Sequence, residues 1–230
     1  VKLALGWACW KTYLVRPEAD GRRCCSMEVL GNALIIKPRE QLPVCEASVA
    51  TFQRLGAPAS FILSAQNNLV NCYSALGRYA ECLPLERKIY GERLNLQGAK
   101  DKDTIRSGVN LIATLMILKL YSEVSRFGGS LLPTANEVLG ADHVTTLHLR
   151  QNICAACMFD PASSHHDVLE CESIVKDVLR RKRRIFGAAH PETRSSECAL
   201  AKVRQRLAGG DVGLPVSESP GLCFSADLPT

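Results

Sequence analysis

One pattern written three times, 42 residues apart, limits what this chain can fold into. Asn68-Leu69, Asn110-Leu111 and Asn152-Ile153 keep that spacing, since 110 − 68 = 42 and 152 − 110 = 42. Gly56, Gly98 and Gly140 share the register, as do Thr104 and Thr146, and Tyr79-Ala80-Glu81 returns as Tyr121-Ser122-Glu123. A last copy, Gly187 to Thr193, echoes Gly140 to Thr146 at a spacing of 47, and the five additional residues fit the loop-like stretch from Asp160 to His166. Several independent markers in one register define a repeat array rather than a single layered domain.

Each period carries apolar residues at helical spacing. Phe61, Leu63, Leu69, Val70, Tyr73 and Leu76 form one stripe ending at Gly77, and Tyr79, Cys82, Leu83, Leu85, Ile89 and Leu94 form another ending at Gly98. Two amphipathic helices, each closed by a residue that tolerates positive φ, make a helical hairpin, and stacked hairpins make a superhelix. The expected fold is all-α, a right-handed α–α superhelix of tandem hairpins. Thr104, Thr146 and Thr193 are expected to N-cap the first helix of each hairpin, and His143 and His190 to cap helices from the turns between repeats.

The stretches Asn68-Leu-Val-Asn-Cys-Tyr73 and Gly77-Arg-Tyr-Ala-Glu81, with Leu139-Gly-Ala-Asp-His143 and Gly187-Ala-Ala-His-Pro-Glu-Thr193, resemble the tetratricopeptide repeat of the kinesin light chain type. The likeness covers about residues 50–207. It implies an adaptor that binds peptide segments, with the asparagines of the Asn-Leu motif facing the binding groove. Two places depart from the pattern. Gly128, Gly129 and Pro133 fall inside a second helix, where glycine costs about 1 kcal/mol and proline about 3, so that helix is expected to be kinked or split. Phe159-Asp160-Pro161 replaces the Gly-x-Tyr turn and lengthens a loop.

Outside the clear repeats, residues 21–55 read as a degraded hairpin, with Met27 to Ile36 in one helix, Pro38 at the turn and Leu42 to Leu55 in the next. Residues 1–20 are expected to be a leftover helix of an upstream unit or disordered, with Trp7 and Trp10 packing on the first hairpin. Residues 21–208 form the repeat domain, and the Gly/Pro/Ser-rich end, 209–230, a flexible tail. The first residue is valine, from which we expect a piece of a longer protein. Apolar residues make up 47% and aromatics only 6%, which suits helix-on-helix packing, and a formal charge of +5 is too mild to imply nucleic acid by itself.

Eleven cysteines are scattered, an odd number, and Cys72, Cys82 and Cys198 fall on apolar stripes. Free thiols and a reducing, cytoplasmic location are the expectation. Cys154, Cys157, His165, His166 and Cys171 form the sharpest metal-like set, but the two helical cysteines occupy core phases, and no metal or cofactor is expected. Arg180-Arg-Lys-Arg-Arg184 is a true basic run, expected to be a solvated helix face, with a nuclear or nucleic-acid role as the alternative. No phosphate loop, nucleophile elbow or metalloprotease motif is present, so no enzyme activity is expected, nor a small-molecule substrate or a membrane span.

The asparagine ladder carries the functional expectation. Asn68, Asn110 and Asn152 share one phase of successive first helices, and an amide that both donates and accepts suits an extended peptide backbone. Asn67, Asn71, Arg106, His148 and Gln151 fall on or near the same face. The competing readings are a structural ladder that bonds a neighbouring helix, and a spacer without a binding function.

Overall fold

The computed structural model describes residues 2–209, and these are helical with no strand. Ten helices follow in order: α1 Lys2–Leu14, α2 Gly21–Ala33, α3 Pro38–Arg54, α4 Ala59–Ala75, α5 Tyr79–Gln97, α6 Lys102–Ile117, α7 Tyr121–Leu139, α8 Val144–Phe159, α9 His165–Phe186 and α10 Pro191–Leu207. The hairpins expected from the repeat are α4–α5, α6–α7 and α8–α9, preceded by the degraded α2–α3. The segment before residue 20 is helical as α1, while the expected tail lies outside the described residues except for Gly209.

Two compact units meet inside α5, the first ending at Ile89 and the second starting at Tyr90. In the first, α1 packs on α2, α2 on α3, and α4 on both α3 and α2. Leu30, Leu34, Cys45, Phe52, Leu63, Val70, Cys72, Cys82 and Ile89 are buried there. Gly6 is the buried contact of α1, since a Cβ placed on it would lie 2.6 Å from the Cβ of Ala33. Trp10 is half-buried beneath the Arg23 guanidinium, but Trp7 stays exposed and does not pack as expected.

In the second unit each helix packs on the next from α6 to α10, and the first helices α6, α8 and α10 also touch in sequence. The helix expected to be kinked or split is not split. α7 runs unbroken through Gly128, Gly129 and Pro133. Gly128 is buried, and a Cβ there would meet Ile153 of α8 at 2.7 Å, so its absence lets the two helices close on each other. Pro133 and Gly129, whose carbonyl has no N–H donor at the proline, both face solvent, where water can satisfy the carbonyl.

The five-residue insertion divides between loop and helix. The loop before α7 is residues 118–120 and the loop before α9 is residues 160–164, two longer, while α9 has 22 residues against 19 for α7, three more. Asp160 accepts from the Ala162 amide at 2.9 Å, and Ser164 with Asp167 closes a capping box. His143 and His190 cap as expected, each Nδ1 accepting a backbone N–H at 3.2 Å. The threonines do not. Thr104, Thr146 and Thr193 lie one turn further in and are at most 1% exposed, and Asp101 and the two histidines occupy the caps instead. Thr193 donates to the Gly187 carbonyl at 2.7 Å, which ties the turn to the helix it precedes.

Gly77, which closes α4, has φ +73°, and Lys119, 42 residues later, takes the same left-handed conformation at φ +60° with a full side chain. A non-glycine residue there costs roughly 1–2 kcal/mol, against up to ~1 kcal/mol of unfolded-chain entropy that glycine adds. Lys119→Gly is therefore expected to raise unfolding free energy by about 0.5–1 kcal/mol in urea titrations; a loss of stability would show that the Lys119 side chain makes a compensating contact.

Candidate functional site

The row predicted from the repeat lies on first helices. In the first unit, α4 carries Asn67, Asn68 and Asn71, all half-buried. In the second, the adjoining α6 and α8 carry Arg106 and Asn110, and His148, Gln151 and Asn152. The apolar residue after each ladder asparagine sets the phase. Leu69 and Leu111 are buried at 8% and 5% exposure, which holds the preceding amide at the rim of the core rather than inside it.

The members of the row differ in what they already bond. Asn67 donates to the Leu63 carbonyl at 2.9 Å, and Arg106 pairs with Asp103 at 2.8 Å. Among the described residues, the side-chain amides of Asn68, Asn71, Asn110 and Asn152 have no hydrogen bond to another group of the protein. No amide of the ladder bridges to a neighbouring helix, as the stacking role would require.

His148 and Gln151 belong to a different arrangement. Lys182 of α9 is fully buried, and its Nζ donates to Glu192 Oε2 at 2.8 Å and to Gln151 Oε1 at 3.1 Å. His148 Nε2 meets the same Glu192 oxygen at 2.6 Å, and Ser196 donates to Gln151 at 3.0 Å. The network joins α8, α9 and α10 through one buried charge. A buried ammonium is tolerable only with such partners, and removing one partner typically costs 3–5 kcal/mol.

The basic run is expected to be a solvated helix face, but Lys182 is buried, and the repeat contains the signal. Arg93 and Asp103 stand ten apart, as do Lys182 and Glu192, and the pairs share the register because 182 − 93 = 89 and 192 − 103 = 89. Arg93 is 8% exposed and meets Asp103 at 3.4 Å. The copy between them has Ala135 and Thr145, so both charges are missing together.

The rest of the basic run is also paired. Arg180 bonds Asp177, Arg181 bonds Asp177 and Asp142, Arg183 bonds Glu197, and Arg184 bonds Asp142. Partial burial opposes ionisation of Asp177, but Arg150, Arg181 and Arg180 overcome it and hold its carboxyl well below the usual range.

Every described cysteine is a free thiol. Cys72 and Cys82 are fully buried as expected, whereas Cys198 is exposed, at the outer edge of its helix. Cys154 and Cys171 share one apolar cluster with Cys157 against it, and burial pushes the Cys157 thiol up to about 11. His165 and His166 are exposed at the start of α9. No group of three metal-binding side chains comes together among the described residues.

Burial lowers the His148 imidazolium below its ordinary value, reinforced by Lys182 and partly offset by the bond to Glu192. The unfolded chain then binds the proton more readily than the folded one, so this group's contribution to stability is present above the ordinary histidine range and lost as pH falls through it. Unfolding midpoints in urea should decline between about pH 7 and 5, and His148→Gln should flatten that decline. An unchanged slope in the variant would contradict the assignment. Lys182→Met should cost on the order of 3 kcal/mol by leaving Glu192 without its cation, whereas a neutral result would show the network to be dispensable.

No family model and no curated protein matches this chain. Solved structures do. A Podosopora anserina protein described as a kinesin light chain, with nearly identical TPR-like repeats, is 16% identical at a TM-score of 0.64, over 85% of this chain and 90% of that one. BtubC (BKLC) from P. vanneervenii is 14% identical with a TM-score of 0.71, covering 90% of this chain and 83% of its own. A Rap protein complexed with Competence and Sporulation Factor is 12% identical at 0.55, covering 90% of this chain and 59% of that protein. At these identities the likeness concerns the fold alone: this chain has the all-α fold of tandem helical hairpins that those TPR-like repeat structures have.

Proposed function

We propose that this chain is a protein-interaction scaffold that holds an extended peptide segment against its first helices. The observation that supports it is the division within the row. The ladder amides Asn110 and Asn152 have no partner within the protein among the described residues, while the work of joining α8 to its neighbours falls to Lys182, Glu192, Gln151 and His148. An amide at the rim of a core, with donor and acceptor both open, can pair with a peptide N–H and C=O at once. Asn68 and Asn71 offer the same chemistry in the first unit. Arg106, half of whose side chain is exposed beside Asp103, flanks the row, and through it an acidic or neutral segment is favoured.

Solved proteins of this fold are consistent with an adaptor role, one of them having been crystallised with a bound factor. The free thiols favour a reducing, cytoplasmic location. No described helix is long and apolar enough to cross a membrane. The nuclear or nucleic-acid alternative gains no support from the basic run, whose five cations are each paired with a carboxylate.

Selection from a randomised peptide library should enrich a short motif on the wild-type chain. The Asn110→Ala/Asn152→Ala variant should bind the enriched peptides about 30-fold more weakly, since two lost backbone contacts of about 1 kcal/mol each amount to that factor. Equal affinity for the variant would place recognition elsewhere.

A further inference from the structure

A second recessed surface lies among α7, α8 and α9, on side chains that the ladder does not use. It is a cavity of about 400 Å³ with an apolar wall of Leu132, Ile153, Cys154 and Ile174 and with Arg150 and Arg181 beside them. The repeat explains why space exists there. One period earlier, Tyr90 and Phe127 meet edge-to-face with ring centroids 5.1 Å apart. Leu132 stands at the Tyr90 position, because 132 − 90 = 42, and Ile174 at the Phe127 position across the longer period, because 174 − 127 = 47. Both rings have been replaced by smaller aliphatic side chains. The residue facing the aromatic pair also changes, since Gly108, whose added Cβ would lie 3.1 Å from Tyr90, becomes Arg150. The cleft has lost two aromatic rings and gained a guanidinium.

The charge beside it is unbalanced. Arg150 and Arg181 both bond the same oxygen of Asp177, each at 2.8 Å. Asp142 takes Arg181 and Arg184, and Arg180 also bonds Asp177, so four guanidiniums share two carboxylates. Arg150 has a side chain 19% exposed and uses only Nη1 in that bond, whereas a guanidinium carries five N–H donors. An incoming anion can therefore bond Arg150 without displacing Asp177.

We propose that this cleft binds a small aromatic carboxylate, with its ring in the space the repeat elsewhere fills with Tyr90 and Phe127 and its carboxylate on Arg150. The volume falls within the range of small-molecule sites, which are apolar with a few placed polar groups. The ring supplies the missing apolar contact and the carboxylate offsets the local positive excess. The site does not depend on the peptide-binding reading, because no ladder residue lines it.

Calorimetric titration of the full chain with 3-phenylpropionate tests the site, with methyl NMR of Ile153 and Ile174 to locate it. Saturable binding with a dissociation constant on the order of 1 mM or below is expected, together with shifts at both methyl groups. The neutral 3-phenylpropan-1-ol and the Arg150→Met variant should each weaken binding by about tenfold, and hexanoate should bind more weakly than the aromatic acid. The Leu132→Tyr/Ile174→Phe variant, which restores the earlier aromatic pair, should melt at a higher temperature and lose binding. No saturable binding of 3-phenylpropionate up to about 10 mM would overturn the proposal, as would unchanged affinity in the filled variant. Equal affinity for the alcohol would remove the role of Arg150, and equal affinity for hexanoate would remove the aromatic specificity. If the filled variant does not fold, the alcohol, hexanoate and Arg150→Met titrations still decide.

Discussion

No helix of this chain can bury its apolar stripe against itself. The stripes on α6, α7, α8 and α9 are closed by the helices that precede and follow them in sequence and, for the first helices, by the next first helix as well. Order is therefore passed from neighbour to neighbour, and every close approach matters because each helix is held by the helices that adjoin it. Gly108 and Gly128 mark two such approaches, where a single methyl group would collide with Leu131 and with Ile153 respectively. The same dependence explains why Gly128, Gly129 and Pro133 do not break α7: packing against α8 outweighs intrinsic propensity, and the proline sits where its cost is lowest.

Polar groups divide between two tasks within this packing. Lys182, Glu192, Gln151 and Ser196 are drawn inward and joined to one another, and the arginines around Lys182 pair nearer the surface with Asp142, Asp177 and Glu197. Lys182 and Ser196 are fully buried and bonded to Glu192 and Gln151, as burial of charge demands. The ladder asparagines stand one step further out, near enough to the core to be held in place and with their hydrogen-bonding capacity unspent. That combination of fixed position and open valence is what recognition of a peptide backbone needs.

Much of this was legible in the sequence, for identifiable reasons. Period, helix count per repeat and the glycine-closed turns follow from residues whose local preferences are strong, and Gly56, Gly77, Gly98 and Gly140 all adopt positive φ. The threonine caps were misplaced by one turn, because His143 and His190 accept the backbone N–H through Nδ1 and leave the threonines to the interior. Lys182 was hidden by its neighbours: four arginines around it suggest solvent, and only its tenth-residue spacing from Glu192, shared with Arg93 and Asp103, reveals a buried pair. The cleft on α7, α8 and α9 could not be seen without knowing which side chains meet across helices, since its cause is a change of size at two distant positions. Helical phase sets His148 and Gln151 beside the ladder, but phase does not disclose their partners, which are Glu192, Lys182 and Ser196.

The central claim is that the ladder amides are kept for binding rather than for holding helices together. Urea unfolding of Asn68→Ala, Asn110→Ala and Asn152→Ala, measured one at a time, tests it most directly. Each variant is expected to stay within about 0.5 kcal/mol of the parent, as substitutions without a lost internal contact generally do. Losses of about 2 kcal/mol or more would mean that these amides brace the stack, and the peptide-binding account would fall with them.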